Sequence, residues 1–181
     1  MSLLVTGFGP FRTVTNNPSS IIAAQLSSNH AVLSVNYEVV EEFADSLKKS
    51  PFTSILCLGL NSNLSEPAFE LYAHNTVGSE PGYLSADHQR TVVSIDGPQT
   101  LGQTFLTPKQ LQTFVSPEFS SPIGTSYSPG DYLCNFILYS LLIRFPQKKI
   151  GFVHIPTFEA MPEKEQVQSI KQLIEFQQLD S

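Results

Sequence analysis

The sequence predicts a three-layer α/β/α sandwich built on a mixed, mostly parallel twisted sheet. Three observations predict it. Short apolar strands alternate with helical patterns along the chain. Leu3 to Gly7 and Thr53 to Leu60 are near-continuous apolar runs, the pattern of strands covered on both faces. No linker, internal repeat or low-complexity tract divides the 181 residues, so 1–181 reads as a single domain with one sizeable core.

Each element has its own signal. Leu3 to Gly7 is a buried strand ending in a Gly-Phe-Gly-Pro turn. Asn17-Pro18-Ser19 opens a helix through Leu26, with Asn17 as N-cap and Pro18 in the first helical position. Ala31 to Val40, rich in Val and Tyr, reads as a strand, and Glu41 to Lys49 as a short amphipathic helix stopped by Pro51. Thr53 to Leu60 is the next strand, and Ala68 to Asn75, which alternates, is another. Gly78 to Asp96 is polar and reads as a loop with a strand at Thr91 to Ile95. Leu106 to Phe114 is a helix with Pro108 near its start, and Ile123 to Ser126 a short strand. Tyr132 to Phe145 is a helix and Gly151 to Ile155 a strand. Pro162 to Leu179 is a final amphipathic helix with Val167, Ile170, Leu173 and Ile174 on one side.

Bulk properties exclude several functions. The net charge of −6 and the scattered Lys and Arg residues argue against nucleic acid as a partner. No apolar run approaches the roughly 20 residues that span a bilayer. The chain opens directly on a strand with no charged n-region, so no signal peptide is expected. Two cysteines cannot build a disulfide framework, and a reducing, cytoplasmic setting fits. Cys57, inside an apolar strand, reads as a small core residue.

Cys134 is different. It follows the turn Ser128-Pro129-Gly130 and precedes the apolar run Phe136 to Phe145, so it stands near a helix N-terminus. His154 ends the strand Gly151 to Ile155, twenty residues later. A helix dipole and a paired imidazolium both favour a thiolate and move a thiol from about 8.5 into a range of roughly 3.5–7.5. Such a pair needs a third group to orient the imidazole. Glu70, flanked by Phe69 and Leu71, either lies on the outer face of a strand or has a buried partner. Gly7 to Phe11, Ser126 to Cys134 and His154-Ile155-Pro156 all fall at or after strand ends, where sites form in such sheets.

Other residues carry less. His74 and His88 show no metal-ligand spacing, and His30 reads as a turn residue, so neither metal nor cofactor is expected. Gly7 and Gly9 lack the third glycine of a dinucleotide fingerprint. Ser126 and Ser128 lack a Gly-x-Ser-x-Gly elbow.

Taken in order, Thr6-Gly7-Phe8-Gly9-Pro10-Phe11, Asn17-Pro18-Ser19, Glu70 with Ala73 and Asn75, Gly130-Asp131-Tyr132-Leu133-Cys134-Asn135 and Gly151-Phe152-Val153-His154-Ile155-Pro156 resemble pyrrolidone carboxyl peptidase (pyroglutamyl peptidase I), a cysteine peptidase family. The resemblance runs from about Leu3 to Pro156. It implies a phosphorylase/hydrolase-like fold and removal of N-terminal pyroglutamate from small peptides through a thioester acyl-enzyme. It also implies Cys134 as nucleophile, His154 as general base and Glu70 as the group orienting it, with no cofactor. Phe8, Phe11, Asn17 and Leu133 are then substrate-binding residues. Members often assemble as dimers or tetramers, so a homo-oligomer is an expectation.

The chain departs from the family pattern at several places. Arg12 stands where the family usually has glycine, Asn63-Leu64 where many have Gly-Arg, and Leu71 where many have a cation. Ser128-Pro129-Gly130 replaces Asp/Ser-Ala-Gly, and the loop Thr76 to Ser94 is divergent. These departures leave two further readings: a catalytically silent binding protein on the same scaffold, or a thiol hydrolase of another small cyclic amide.

Overall fold

Residues 2–78, 91–119, 121 and 123–179 are described by a computed structural model. The elements run β1 (Leu3–Phe8), α1 (Pro18–Leu26), β2 (His30–Leu33), α2 (Tyr37–Ser46), a 3-10 turn (Leu47–Lys49), β3 (Ser54–Leu60), β4 (Ala68–Glu70), β5 (Tyr72–His74), β6 (Thr100–Gly102), α3 (Pro108–Phe114), β7 (Gly124–Ser126), α4 (Leu133–Arg144), β8 (Lys149–Ile155) and α5 (Glu163–Gln178). Six strands form one sheet in the order β2-β1-β3-β8-β4-β7. All its pairings are parallel except β4 with β8, which is antiparallel. Strands β5 and β6 form a separate antiparallel pair.

Side-chain alternation along the central strands creates two apolar layers. Ile55 and Cys57 of β3 and Ile150 and Phe152 of β8 pack with Tyr37, Val40 and Ala44 of α2 and with the buried face of α4. Leu56 and Leu58, with Val153 and Ile155, pack on the opposite side against Ile22 and Ala23 of α1, Phe114 of α3 and Val167, Ile170, Leu173 and Ile174 of α5. The expected mixed three-layer α/β/α architecture is therefore present. Helix α1 is capped as the sequence predicts: the Asn17 side chain accepts from the Ser19 N–H at 3.1 Å. Its backbone runs so close to β1 that a Cβ on Gly7 would lie 2.2 Å from the Ser19 carbonyl oxygen. Gly7, the first glycine of the Gly-x-Gly, thus serves helix–strand packing.

Three element boundaries differ from expectation. The second strand ends at Leu33, and Tyr37 to Val40 belong to α2. The Asn36 side chain accepts from the N–H groups of Glu38 (2.7 Å) and Val39 (3.2 Å), and this cap overrides the strand preference of the Val and Tyr residues. The strand expected over Ala68 to Asn75 is two strands in two sheets. Leu71 is the switch: its N–H donates to the C=O of Ser126, the last residue of β7, and its C=O accepts from Gln103 N–H just after β6. Thr91 to Ile95 form no strand, whereas β6, which has no alternating signature, does. The rest of the expected loop, with Asp87 and His88, lies outside the described residues. Among those described, no helix is long and apolar enough to cross a membrane.

A methyl group at Gly7 would have to push helix backbone away from the sheet. Gly7→Ala is expected to destabilise the fold by about 2–3 kcal/mol, seen as a lower urea midpoint. An unchanged midpoint would show that the two backbones are not in such close contact.

Candidate active site

The site forms at the carboxyl ends of β1, β2, β3 and β8, with the N-terminus of α4 facing them. Pro129 and Gly130 turn the chain into that helix. Gly130 has φ +81°, the value a type II turn demands after a proline. Tyr132 caps α4 with its backbone alone, since its side chain makes no capping hydrogen bond. The first intrahelical bond, Phe136 N–H to Tyr132 C=O at 2.9 Å, leaves the amides of Leu133, Cys134 and Asn135 before it. Cys134, the second residue of the helix, is half-buried there.

Asn135 anchors this helix end from within. It is fully buried, accepts from His74 N–H at 2.8 Å, and donates to His74 C=O (2.8 Å) and Thr76 C=O (3.0 Å). These three side-chain hydrogen bonds all go to the chain around β5, so the α4 N-terminus is fixed against that strand.

His154 and Glu70 project from neighbouring strands on the α4 side of the sheet. The imidazole Nδ1 lies 2.7 Å from Glu70 Oε1, and both residues are buried. Burial works against a charged imidazole. The Cys134 side chain, as charge and as hydrogen-bond partner, and then Glu70 outweigh it and raise the His154 pKa from 6.5 to about 10. Phe152 packs on the imidazole with ring centroids 4.8 Å apart. Burial instead pushes the Cys57 thiol up to about 12, as befits a core residue. The two cysteines are thus sharply different environments for the same group.

Cys134 also lines a small pocket, about 80 Å³, with Phe8, Phe11, Asn17, Val35, Leu60, Tyr132 and Leu133. The four residues expected at a substrate pocket therefore come together beside the thiol. Asn17 is mostly committed to the scaffold. Its Oδ1 accepts from Ser19 N–H and the Ser19 hydroxyl (2.9 Å), and its Nδ2 donates to Gly9 C=O at 3.0 Å. One amide hydrogen remains for a ligand. Val35, Leu60 and Tyr132 were not expected. Leu60 ends β3, so the strand-end rule could have found it, and Tyr132 neighbours Leu133. Val35 carries no signal beyond its place after a strand.

Arg12 follows the pocket residue Phe11 in a tight turn. Phe11 and Val14 exchange N–H···O bonds of 3.0 and 2.9 Å around Arg12-Thr13, and Arg12 has φ +50°. Its guanidinium carbon stands 5.9 Å from the Phe11 ring centroid. The turn keeps the left-handed backbone that glycine favours, with an arginine in it. Elsewhere, His74 bonds Tyr127 C=O at 3.0 Å and Thr100 Oγ1 at 3.4 Å, and His30 bonds Ser27 C=O. Among the described residues, no three His, Cys, Asp or Glu side chains are grouped to hold a metal.

The raised His154 pKa has a consequence for stability. The folded pKa lies above the unfolded one, so the contribution is complete below about pH 6.5 and is lost as pH rises towards about 10. Urea midpoints of the wild type should fall across this window more steeply than those of His154→Gln. Parallel pH profiles would contradict it. The thiols should also differ: a brief iodoacetamide pulse at neutral pH should label Cys134 before Cys57, and mass spectrometry showing Cys57 labelled first would reverse the assignment.

Comparisons with known proteins give the family of the chain. The family model for pyroglutamyl peptidase, Peptidase_C15, matches residues 1–172. The pyrrolidone-carboxylate peptidase of Thermosipho africanus is 28% identical over 172 residues, covering 86% of this chain and 82% of that protein. The Bacillus subtilis protein of the same name is 25% identical over 171 residues, covering 85% and 77%. Among solved structures, pyrrolidone carboxyl peptidase from Thermus thermophilus superposes with a TM-score of 0.78 at 26% identity, over 96% of this chain and 99% of that one. The Thermococcus litoralis structure gives 0.79 at 22% identity, over 97% and 92%. With nearly its whole length matched by the family model, the chain belongs to the pyroglutamyl peptidase family of cysteine peptidases.

Proposed function

We propose that this protein removes N-terminal pyroglutamate from small peptides, with Cys134 as nucleophile, His154 as general base and acid, and Glu70 as the residue that orients His154. One observation carries this reading: Cys134 belongs to two arrangements at once. It lines the pocket with Phe8 and Phe11, and its side chain acts with Glu70 to raise the pKa of the His154 imidazole that Glu70 bonds.

Pyroglutamate is an uncharged, flat lactam, suited to a pocket walled by Phe8, Phe11 and Leu133. The remaining Asn17 amide hydrogen is a donor for its ring carbonyl. The Cys134 thiolate attacks the carbonyl carbon that joins pyroglutamate to the peptide. The carbonyl electrons move to oxygen, where the Cys134 N–H, ahead of the first intrahelical bond, donates to the oxyanion. Collapse breaks the C–N bond, His154 gives its proton to the departing amine, and a thioester remains. Water then attacks the thioester, losing its proton to His154, and pyroglutamate and thiolate are released.

The test is fluorophore release from pyroglutamyl-aminomethylcoumarin under reducing conditions. Wild type should turn over, and Cys134→Ala should lose all turnover while keeping its thermal midpoint. Glu70→Gln should lower kcat by about 10²–10⁴, the scale of losing an imidazole-orienting carboxylate. Turnover that survives Cys134→Ala would remove the nucleophile assignment. Preference for prolyl or simple acyl amides over the pyroglutamyl one would replace the substrate.

A further inference from the structure

We infer that Gly59 and Phe152 are positioning residues that together set the geometry between the Cys134 thiol and the His154 imidazole, an inference that rests on the roles proposed above for Cys134 and His154. Gly59 lies in β3 in register with His154 on β8. By strand alternation it shares a sheet face with Cys57, the face that α4 covers. A Cβ on Gly59 would stand 2.9 Å from Cys134 Sγ, 2.7 Å from Phe152 Cζ and 3.2 Å from Phe152 Cε1. Thiol and ring edge therefore both reach into the space that a side chain at position 59 would fill.

The glycine is not there for its backbone. Gly130 is the described glycine with positive φ, and Gly59 is not. A glycine inside a central strand weakens it and calls for a reason such as close approach. Here that reason is a pocket in the sheet surface, one side chain deep, that holds the sulfur. Phe152 completes it. The ring is fully buried, its edge lies over Gly59, and it meets the imidazole in a tilted contact with centroids 4.8 Å apart and planes at 59°. A buried ring in contact with the imidazole restricts how far the imidazole can tilt about its Glu70 bond. Neither residue exchanges a proton or electron with substrate, and both act through the two that do.

Adding one methyl group at position 59 forces either the sulfur or the Phe152 ring to move, and either movement changes the sulfur–imidazole alignment. Misplacement on the ångström scale is worth about a hundredfold in rate. Gly59→Ala is thus expected to lower kcat on pyroglutamyl-aminomethylcoumarin by about 100-fold with KM changed less than about threefold. It should also raise the midpoint of the pH profile for Cys134 alkylation by iodoacetamide, followed by mass spectrometry, because the displaced thiolate loses imidazolium. Phe152→Leu removes atoms instead of adding them and should shift both readouts in the same direction by a smaller amount, so it carries the test if Gly59→Ala does not fold. Wild-type kcat and an unmoved alkylation profile in the folded variants would overturn the inference. A shifted profile in the variants, with no pyroglutamyl turnover by the wild type, would uphold the positioning role and overturn the substrate instead.

Discussion

The site depends on one antiparallel strand in an otherwise parallel sheet. Because β4 runs against β8, with Ala68 opposite His154, Glu70 reaches the imidazole from the neighbouring strand and closes a 2.7 Å hydrogen bond. Phe69 meanwhile turns to the other side, into the layer of α1, α3 and α5. A carboxylate this deeply buried requires a partner, and an imidazole this deeply buried would ordinarily be neutral. Each resolves the other's problem, with the Cys134 side chain on the remaining side, and the histidine stays charged well above its usual range. Removing Glu70 or His154 breaks this buried pair and leaves its other member without that partner in an apolar surrounding.

Much of this was legible in the sequence because its signals are local. Asn17-Pro18 is a cap and a first-turn proline, and it starts α1. The apolar runs of β1, β3 and β8 mark strands covered on both faces, and all three are central. Cys134 stands near a helix N-terminus, His154 ends an apolar strand and Glu70 is flanked by Phe69 and Leu71, and all three signals are local. What was not legible depends on tertiary context. Leu71 looks like any strand residue, yet its N–H and C=O bond different sheets. Tyr37 to Val40 has strand composition, and a single Asn36 side chain makes it helical. Asn135 gives no sign in sequence that its three side-chain hydrogen bonds go to the chain around β5, some sixty residues away.

The N-terminus of α4 shows how a helix end is left open for chemistry without becoming loose. A side-chain cap at Tyr132 would have satisfied the first amides and taken them from the site. Without one, the end must be secured by other means, and Asn135 does so one residue beyond the thiol, pointing inward. Tyr132 instead packs edge-on against Tyr37 of α2, which also meets Phe136 edge-on. The helix is thus held from beneath and from the side, and its leading amides face the pocket.

The departures from the family pattern follow the same division between frame and rim. Arg12, Leu64 and Pro129 lie in turns, where substitution leaves the strand register untouched. At Arg12 the Phe11–Val14 hydrogen bonds impose the left-handed backbone, so the turn keeps its shape although an L-residue there costs roughly 1 kcal/mol. What changes is the side chain beside Phe11, where a guanidinium now lies near the ring. Leu71 is the exception that lies inside the fold. It is buried in the layer of α1, α3 and α5, where a cation would have to be desolvated, and leucine belongs there on packing grounds alone. The departures therefore fall on turns and on one buried position, while the strands that carry Glu70, Gly59 and His154 pair in regular register.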